Sequence, residues 1–473
     1  MNKDQLLEKI RTGTDLTRRE QVMLAAALSV PAMMAQLVQI MMEYIDAAMV
    51  GSLGAQASAS IGLVSTSTWL FGGVCHAVAA GFCVQVAHQI GANRFEEARH
   101  ILRQSLLFTI VFSVTLAVVG LGIAPHLPHW LGGADEICSD ASWYFGIFAS
   151  VLPIMMLMTL SAGMLRSSGN VKVPSLLMAT ACVLDMLFNW LFIFRLHMGV
   201  RGAALGTAIA YTLVAIIMAG YLLLHSEALS PLRHKDDPQP TTTAGNRQIS
   251  VLGLQFSTRT MRKWFHIAWP MATEHFVMCG AQIASTVIIA PLGTIAIAAN
   301  AFGIIVESLC YMPGHGVADA ATTLVGQSLG AQRTTLARSF ATISVTLGMS
   351  VMTVMGIIMF VFAPEVMSLM TPDADVQSLT AHVLRIEAFA EPMYAASIVC
   401  YGVFVGAGDT LIPCGMNLGS IWVVRITLAL LFTKVLGLGL TGYWMAMALE
   451  LCFRGTIFLL RLRKDGWMNK LSR

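Results

Sequence analysis

Residues 91–99 read GANRFEEAR and residues 330–338 read GAQRTTLAR, so glycine, alanine and arginine recur at the same places in two distant stretches. The two stretches are 239 residues apart, and the same shift superposes Pro31 on Pro270 without a gap. Further pairs under this shift are Leu53-Gly54 with Leu292-Gly293, Pro153 with Pro392, Gly163 with Gly402, and Gly169 with Gly408. One register shared over so long a stretch is hard to obtain by chance, and it indicates an internal duplication.

The composition indicates that both copies lie in a membrane. Hydrophobic residues make up 56% of the chain and charged residues only 12%, whereas roughly 25% of the residues of an ordinary soluble domain are charged. Twelve apolar runs, six in each copy, are long enough to cross the roughly 30 Å of hydrocarbon in a bilayer. We therefore predict an all-α integral membrane protein, with twelve transmembrane helices in two six-helix lobes that a pseudo-twofold axis relates. Parallel repeats of this kind place a substrate site between the lobes, which rock against each other.

The distribution of basic residues predicts the orientation of the chain. Lys and Arg gather in alternate loops, and neither occurs from Gln104 to Leu165 or from Ser339 to Leu384. By the positive-inside rule, both termini are expected in the cytoplasm. The predicted organisation is a cytoplasmic segment over 1–23, an N-terminal lobe over 24–225, a cytoplasmic linker over 226–262, a C-terminal lobe over 263–462 and a cytoplasmic tail over 463–473.

Several of the matched elements resemble those of the multidrug and toxic compound extrusion (MATE) family. They are, in chain order, Pro31 with DAAMVGSLG over 46–54, QIGA over 89–92, Met312-Pro313-Gly314, VGQSLGA over 325–331, Glu391-Pro392 and GAGDT over 406–410. The resemblance covers nearly the whole chain and rests on the order and spacing of these elements together. It implies a V-shaped arrangement of two lobes, and export of bulky, often aromatic cations driven by an inward sodium or proton gradient.

The chain departs from the family pattern at positions that concern the coupling ion. The family often has an asparagine followed four residues later by an aspartate in the fifth helix, whereas here Asp185 comes first and Asn189 second. Some sodium-driven relatives carry a carboxylate one turn deeper than Glu274 in the seventh helix, where this chain has Met278. These differences leave proton coupling and sodium coupling both open.

Four polar residues in the first half form the predicted ion-coupling site. A carboxylate at the middle of a membrane helix costs roughly 2.5 to 3.5 kcal/mol on insertion scales, so one that persists usually faces an interior cavity. Glu43 and Asp46 stand three residues apart and Asp185 and Asn189 four apart, so each pair shares a helical face. We expect all four to bind protons or sodium ions. The alternatives are structural hydrogen bonds for Asp46 and Asp185, and hydration near the outer end of the helix for Glu43.

The acids of the second half are the predicted sites for the transported cation. The expected substrate- or cation-binding residues are Glu274, Glu307, Asp319 and Glu391. Glu391 precedes a proline, so it could equally cap the start of its helix. The 239-residue shift places Ala35 opposite Glu274 and Ser285 opposite Asp46. We therefore expect the lobes to divide their labour, with one coupling ions and the other attracting a cation.

These residues predict a secondary active antiporter that exports hydrophobic organic cations by alternating access, in exchange for protons or sodium ions. We expect a monomer in the plasma (inner) membrane, with membrane lipids around it and no cofactor besides the coupling ion. The formal charge of +3 and the nine cysteines without a CxxC pair predict neither nucleic-acid binding nor a metal site or disulfide.

Two alternatives remain to the antiporter. A lipid-linked oligosaccharide flippase of the same superfamily would need a large cationic cleft for pyrophosphate, whereas the buried charges found in the sequence are acidic. A membrane-embedded enzyme or receptor would need a catalytic motif or an extramembrane domain, and the sequence shows neither, so we expect no enzyme.

Overall fold

The structure is a computed structural model that describes residues 3–230, 248–251 and 254–468. Helices dominate it, so the predicted all-α membrane fold is confirmed. One short antiparallel strand pair, β1 (Gln248–Val251) with β2 (Leu254–Ser257), lies within the predicted linker 226–262. Most of that linker, and the end of the predicted tail 463–473, lie outside the described residues.

The long helices of the two halves follow the same order. The first half contains α1 (Lys3–Thr12), α2 (Arg18–Gly51), α3 (Ala55–Gly91), α4 (Phe95–Ile123), the short α5 (Leu127–Trp130), α6 (Asp135–Ser167), α7 (Lys172–Trp190) with a π-helical turn over Leu191–Arg195, and α8 (Gly199–Leu224). The second half contains α9 (Thr258–Ile289) with a 3-10 turn over Ala290–Leu292, α10 (Thr294–Gly330), α11 (Thr334–Met370), α12 (Ala374–Ala388), α13 (Glu391–Gly406), α14 (Leu411–Gly419), a π-helical turn over Ser420–Arg425, α15 (Ile426–Leu430), a π-helical turn over Leu431–Val435, α16 (Gly439–Arg463) and a 3-10 turn over Asp465–Trp467.

Ten of the described helices are long and apolar enough to cross a membrane, and the bent pair α12 and α13 makes an eleventh span. The two members of that pair meet at 58°. Helix α16 takes the place of the twelfth predicted span, and its 25 residues suffice in length. It carries four charged residues, Glu450, Arg454, Arg461 and Arg463.

The backbone repeats the duplication that the sequence predicts. Asn93 and Gln332, which are 239 residues apart, both have a φ of 59°, in the left-handed region that residues other than glycine rarely adopt. Gly199 and Gly439 both have a φ of 58°. Each half also ends one span in a π-helical turn, over Leu191–Arg195 and Leu431–Val435. The two halves therefore share their turns as well as their helix order.

The described residues divide into two compact units by their contacts. The N-unit is Val38–Ala272, and the C-unit is Met1–Leu37 together with Thr273–Arg473. The first part of α2 therefore belongs with the second half of the chain, and the first part of α9 with the first half. The lobe boundaries at 24–225 and 263–462 follow the chain instead, and they stay a prediction.

We call the first part of α2 and the first part of α9 the exchanged segments. Close packing joins each of them to its unit. In the C-unit, a Cβ on Gly316 would overlap the backbone of Met33, so α10 and α2 touch through their main chains. In the N-unit, the Trp264 indole donates a hydrogen bond to the Val78 carbonyl oxygen at 3.0 Å and lies against Gly81. Small residues permit this close approach of membrane helices.

Helix α1 is held on the C-unit by its apolar face and by one arginine. Leu6, Leu7 and Ile10 are buried. Arg333, in the turn after α10, donates from Nη1 to the carbonyl oxygens of Lys9 at 3.1 Å and Thr14 at 2.8 Å. Its Nη2 pairs with the Asp15 carboxylate at 3.0 Å. One guanidinium thus ties three points of the N-terminal segment to the turn.

Candidate ion and cation sites

The structure brings three of the four predicted ion-coupling residues together in the N-unit. The Asn189 side-chain amide donates hydrogen bonds to Asp46 Oδ1 at 2.8 Å and to Asp185 Oδ2 at 3.2 Å. Asp185 and Asn189 are fully buried, and Asp46 is half-buried. The two carboxyl groups also lie within hydrogen-bonding reach of each other. One amide therefore bridges two acids from α2 and α7 inside the unit.

Two residues of α8 lie beside this bridge, and neither was predicted from the sequence. A Cβ on Gly206 would overlap Asn189 Oδ1 and would come within 2.9 Å of the Asn189 backbone nitrogen. The Thr207 hydroxyl donates to the Ala203 carbonyl oxygen at 3.2 Å and lies near the Asp185 carboxyl group. Gly206 is therefore the residue that leaves room for the amide. An asparagine that faces a glycine on the neighbouring helix cannot be recognised from either segment alone.

The site retains free oxygen atoms. Asp185 Oδ1 and Asn189 Oδ1 are buried and have no hydrogen-bond partner within the described part of the chain. Both are acceptors, which suits a proton shared with a carboxylate or a small cation. The phenol rings of Tyr144 and Tyr211 lie close enough to feel the charge of the same acids.

Glu43 lies one turn before Asp46 on α2 but takes no part in the bridge. Its side chain is exposed and contacts Gln39. It is close enough to Asp46 for their charges to interact. The structure therefore places Glu43 at the edge of the ion-coupling group.

Glu274 in the C-unit has partners on both carboxylate oxygens. Oε2 accepts a hydrogen bond from the Tyr401 hydroxyl at 2.5 Å, and Oε1 accepts one from the Asn417 amide at 2.6 Å. The side chain is half-buried. Two donors from α13 and α14 thus fix the direction of this carboxylate.

A buried ion-pair network, which was not predicted from the sequence, lies in the same unit. Glu450 is fully buried, and its Oε2 accepts from Arg425 Nη2 at 2.6 Å and from Arg425 Nε at 3.0 Å. Its Oε1 accepts from the Ser420 hydroxyl at 2.5 Å and pairs with Arg454 Nε at 3.2 Å. Ser420 and Arg425 begin and end one π-helical turn. The statement that the buried charges are acidic is therefore wrong, because Arg425 and Arg454 lie inside the unit.

Glu307 and Glu391 lie near this network, together with Glu387, which the sequence analysis did not select. Glu307 is 7% exposed, and Glu387 and Glu391 are fully buried. The charges of all three interact. Neither Glu387 nor Glu391 has a hydrogen-bond partner on either oxygen among the residues that the structure describes. The capping interpretation of Glu391 is therefore wrong, because its side chain accepts no hydrogen bond from the start of α13.

Asp319 stands apart from the other second-half acids. It lies on α10 with Glu307, but twelve helical residues separate their Cα atoms by about 18 Å along the axis. Its side chain is half-buried. The four predicted cation-binding residues therefore occupy three places: Glu274 with its two donors, Glu307 with Glu391, and Asp319 at a distance from the other three.

Comparison with known proteins gives matches along the whole chain. The MatE family model matches residues 31–191 and again residues 270–431. The two matches begin 239 residues apart, which is the shift found within the sequence. The probable multidrug resistance protein NorM of Thermotoga maritima is 26% identical over 450 residues, or 93% of this chain and 92% of that protein.

Solved structures show the same fold. A MOP superfamily transporter from Pyrococcus furiosus superposes with a TM-score of 0.87 at 18% identity, covering 99% of this chain and 98% of that one. A multidrug resistance MATE family transporter in an outward-facing conformation also gives a TM-score of 0.87, at 19% identity, covering 100% of this chain and 99% of that one.

Proposed function

Because this chain belongs to the MatE family, the multidrug and toxic compound extrusion transporters, we propose that it is a secondary active antiporter that exports hydrophobic organic cations. Protons or sodium ions entering the cell drive the export by alternating access. The observation that carries the proposal is the Asn189 amide, which bridges Asp46 and Asp185 inside the membrane unit. Relatives that match over most of the chain are named as multidrug resistance proteins.

The ion-coupling role falls to the bridged acids of the N-unit. Two carboxyl groups within hydrogen-bonding reach in a low-dielectric site cannot both carry a full negative charge without a proton or cation between them. Binding and release of that ion change the hydrogen bonds that link α2 to α7. Glu43 at the exposed edge of the group supplies negative charge that draws the ion toward Asp46.

The substrate-attracting role falls to the acids of the C-unit. Glu274 is half-buried and held in place by Tyr401 and Asn417, so it can neutralise a cationic group without a change of rotamer. Asp319, also half-buried, offers a second carboxylate on α10. Glu307 and Glu391 are more deeply buried, and each adds negative potential while it is ionised. Methionine and aromatic side chains suit varied apolar substrates.

We further propose an inner-membrane location with both termini in the cytoplasm, as the positive-inside rule predicts. The chain is proposed to act as a monomer among membrane lipids, with the coupling ion as its only cofactor. The flippase alternative would require unneutralised positive charge in the interior. Arg425 and Arg454 both pair with Glu450, and the carboxyl groups of Glu307 and Glu387 interact with the one positive charge that this pairing leaves, so the two arginines do not supply it.

Efflux of a fluorescent organic cation from inverted vesicles tests the proposal. With Asp46→Asn, which keeps the shape and removes the charge, we expect gradient-driven transport to fall at least tenfold. Glu96→Gln, at an exposed position on α4, should transport like the wild type. Imposing a pH gradient or a sodium gradient alone identifies the coupling ion. Wild-type rates in Asp46→Asn would remove this residue from the mechanism, and no cation efflux by the wild type would reject the function.

A further inference from the structure

Two fully buried carboxyl groups flank the break between α12 and α13. Glu387 lies in the last turn of α12, and Glu391 is the first residue of α13. Their four side-chain oxygens have no hydrogen-bond partner within residues 3–230, 248–251 and 254–468. A buried ionised carboxylate without hydrogen bonds is strongly unfavourable. The arrangement therefore needs positive charge that the hydrogen-bond network does not supply.

The local charge count shows how much positive charge is missing. Arg425 and Arg454 both contact Glu450, so that carboxylate is fully compensated and one positive charge remains. Glu307, Glu387 and Glu391 share this remaining charge with Glu274, which also interacts with Arg454. Since each acid would carry one negative charge when ionised, at least two of Glu307, Glu387 and Glu391 lack a counter-charge.

The two ends of the broken helix act differently on the two acids. The C-terminal end of a helix carries partial negative charge and the N-terminal end partial positive charge. Glu387 therefore lies at the end that disfavours a carboxylate, whereas Glu391 lies at the end that favours one. Helix breaks inside membrane bundles commonly form the ion sites of transporters. Glu387 is thus the first group of the pair to hold a proton.

We propose that Glu387 and Glu391, at the break between α12 and α13, form a proton-binding site in the C-unit that is separate from the Asp46 and Asp185 group. With Glu307, the site offers three carboxyl groups to protons. A proton needs only one carboxylate oxygen, whereas a metal ion needs several converging ligands. Across the described residues, no three His, Cys, Asp or Glu side chains are arranged to hold a metal ion.

Groups from every neighbouring element influence when these protons bind. Arg425 and Arg454 favour the ionised carboxylates, whereas Glu307 and Glu450 favour protonation. The titratable or charged groups that interact with the acids are Glu307 and Cys310 from α10, Tyr394 from α13, Arg425 from the π-helical turn, and Glu450, Cys452 and Arg454 from α16. At Gly356, α11 presents only a hydrogen atom to Glu391 and the Ala388 carbonyl oxygen.

Infrared difference spectroscopy of the full chain in lipid nanodiscs tests the proposal. At neutral pH, we expect the wild type to show the carbonyl stretch of protonated carboxyl groups. Glu387→Gln should remove part of this band, and Glu391→Gln should shift the pH at which the remainder disappears. Glu365→Gln, at an exposed position on α11, should leave the band unchanged. Spectra of both site variants that match the wild type at every pH would overturn the proposal.

Thermal unfolding gives an independent measurement on the same variants. A protonated Glu387 is neutral, so Glu387→Gln should change the Tm by only a few degrees. Glu450→Gln, which leaves Arg425 and Arg454 without their counter-ion, should lower the Tm much more. An equally large fall for Glu387→Gln would show that Glu387 is ionised and would also overturn the proposal. Neither measurement uses a substrate or a gradient, so a negative result leaves the efflux proposal standing.

Discussion

At the scale of single residues, the N-unit depends on the position of one amide. Asn189 donates to Asp46 and Asp185, and Gly206 provides the space that its side chain occupies. The amide has two donor hydrogens, and both are used. A shift of the Asn189 amide would break both hydrogen bonds, although Asp46 and Asp185 themselves would be unchanged.

Gly206→Ala should therefore reduce ion coupling while both acids remain. The new Cβ would overlap the Asn189 side chain, and overpacking of this kind costs about 1 to 3 kcal/mol of stability. We expect a lower Tm and a loss of gradient-driven efflux that resembles the loss in Asp46→Asn.

The matched control for this change is Gly220→Ala on the same helix. A Cβ at Gly220 would meet no atom within 4 Å, and alanine is the better helix former by roughly 0.5 to 1 kcal/mol. Its Tm and efflux should equal or exceed those of the wild type. If Gly206→Ala behaved like this control, Gly206 would have no part in holding the amide.

The sequence allowed the N-unit acids to be predicted because their spacing is regular. Asp185 and Asn189 are four residues apart on one helix, which fixes a shared face. Glu450 and Arg454 have the same spacing within the twelfth predicted span, so this pair was predictable too, but basic residues inside the spans were not considered as partners of the acids. The pairing of Arg425 with Glu450 was not predictable, because the direction of the Arg425 side chain depends on a π-helical turn over Ser420–Arg425. Such a turn leaves no regular apolar period in the sequence.

At the scale of elements, α1 is held by a contact that the repeat does not share. Arg333 and Arg94 occupy equivalent places after α10 and α3. Arg333 also binds the N-terminal segment at Lys9, Thr14 and Asp15. The extra role follows from α1, which has no counterpart in the second half among the described helices.

Arg333→Ala should release α1, and Arg94→Ala is the matched control. A hydrogen bond to a charged group contributes about 1.5 to 3 kcal/mol, and less where water competes. Loss of the guanidinium should therefore speed amide hydrogen exchange over Lys3–Thr12 by roughly tenfold, where 1.4 kcal/mol corresponds to a factor of ten. Equal exchange over α1 in both variants would show that the buried Leu6, Leu7 and Ile10 suffice to hold it.

At the scale of the whole molecule, the contact units do not coincide with the halves of the chain. Met1–Leu37, from the first half of the chain, belongs to the C-unit. The start of α9, up to Ala272, comes from the second half and belongs to the N-unit. The duplication was predictable from residue identities, since a constant shift is visible in the letters. The assignment of the two exchanged segments to the units was not predictable, because it depends on which helix packs against Gly81 and which against Gly316.

Two separately encoded pieces, cut within the linker 226–262, should therefore stabilise each other when they are made in one cell. Each piece alone leaves both units incomplete, because it lacks α2 up to Leu37 or α9 up to Ala272. We expect tagged pieces to co-purify and to unfold together, and each piece made alone to be degraded. A stable, folded single piece would show that the exchanged segments are dispensable.

The turns that the two halves share have a consequence for protein engineering. Asn93 and Gln332 adopt the same backbone angle, while Asp46 and Glu274 stand opposite Ser285 and Ala35. Ancestry has thus preserved the scaffold in duplicate and left the chemistry free to diverge. A library of variants that substitutes acids in one half alone can therefore be screened for a new coupling ion, while the other half and the shared turns keep their sequence.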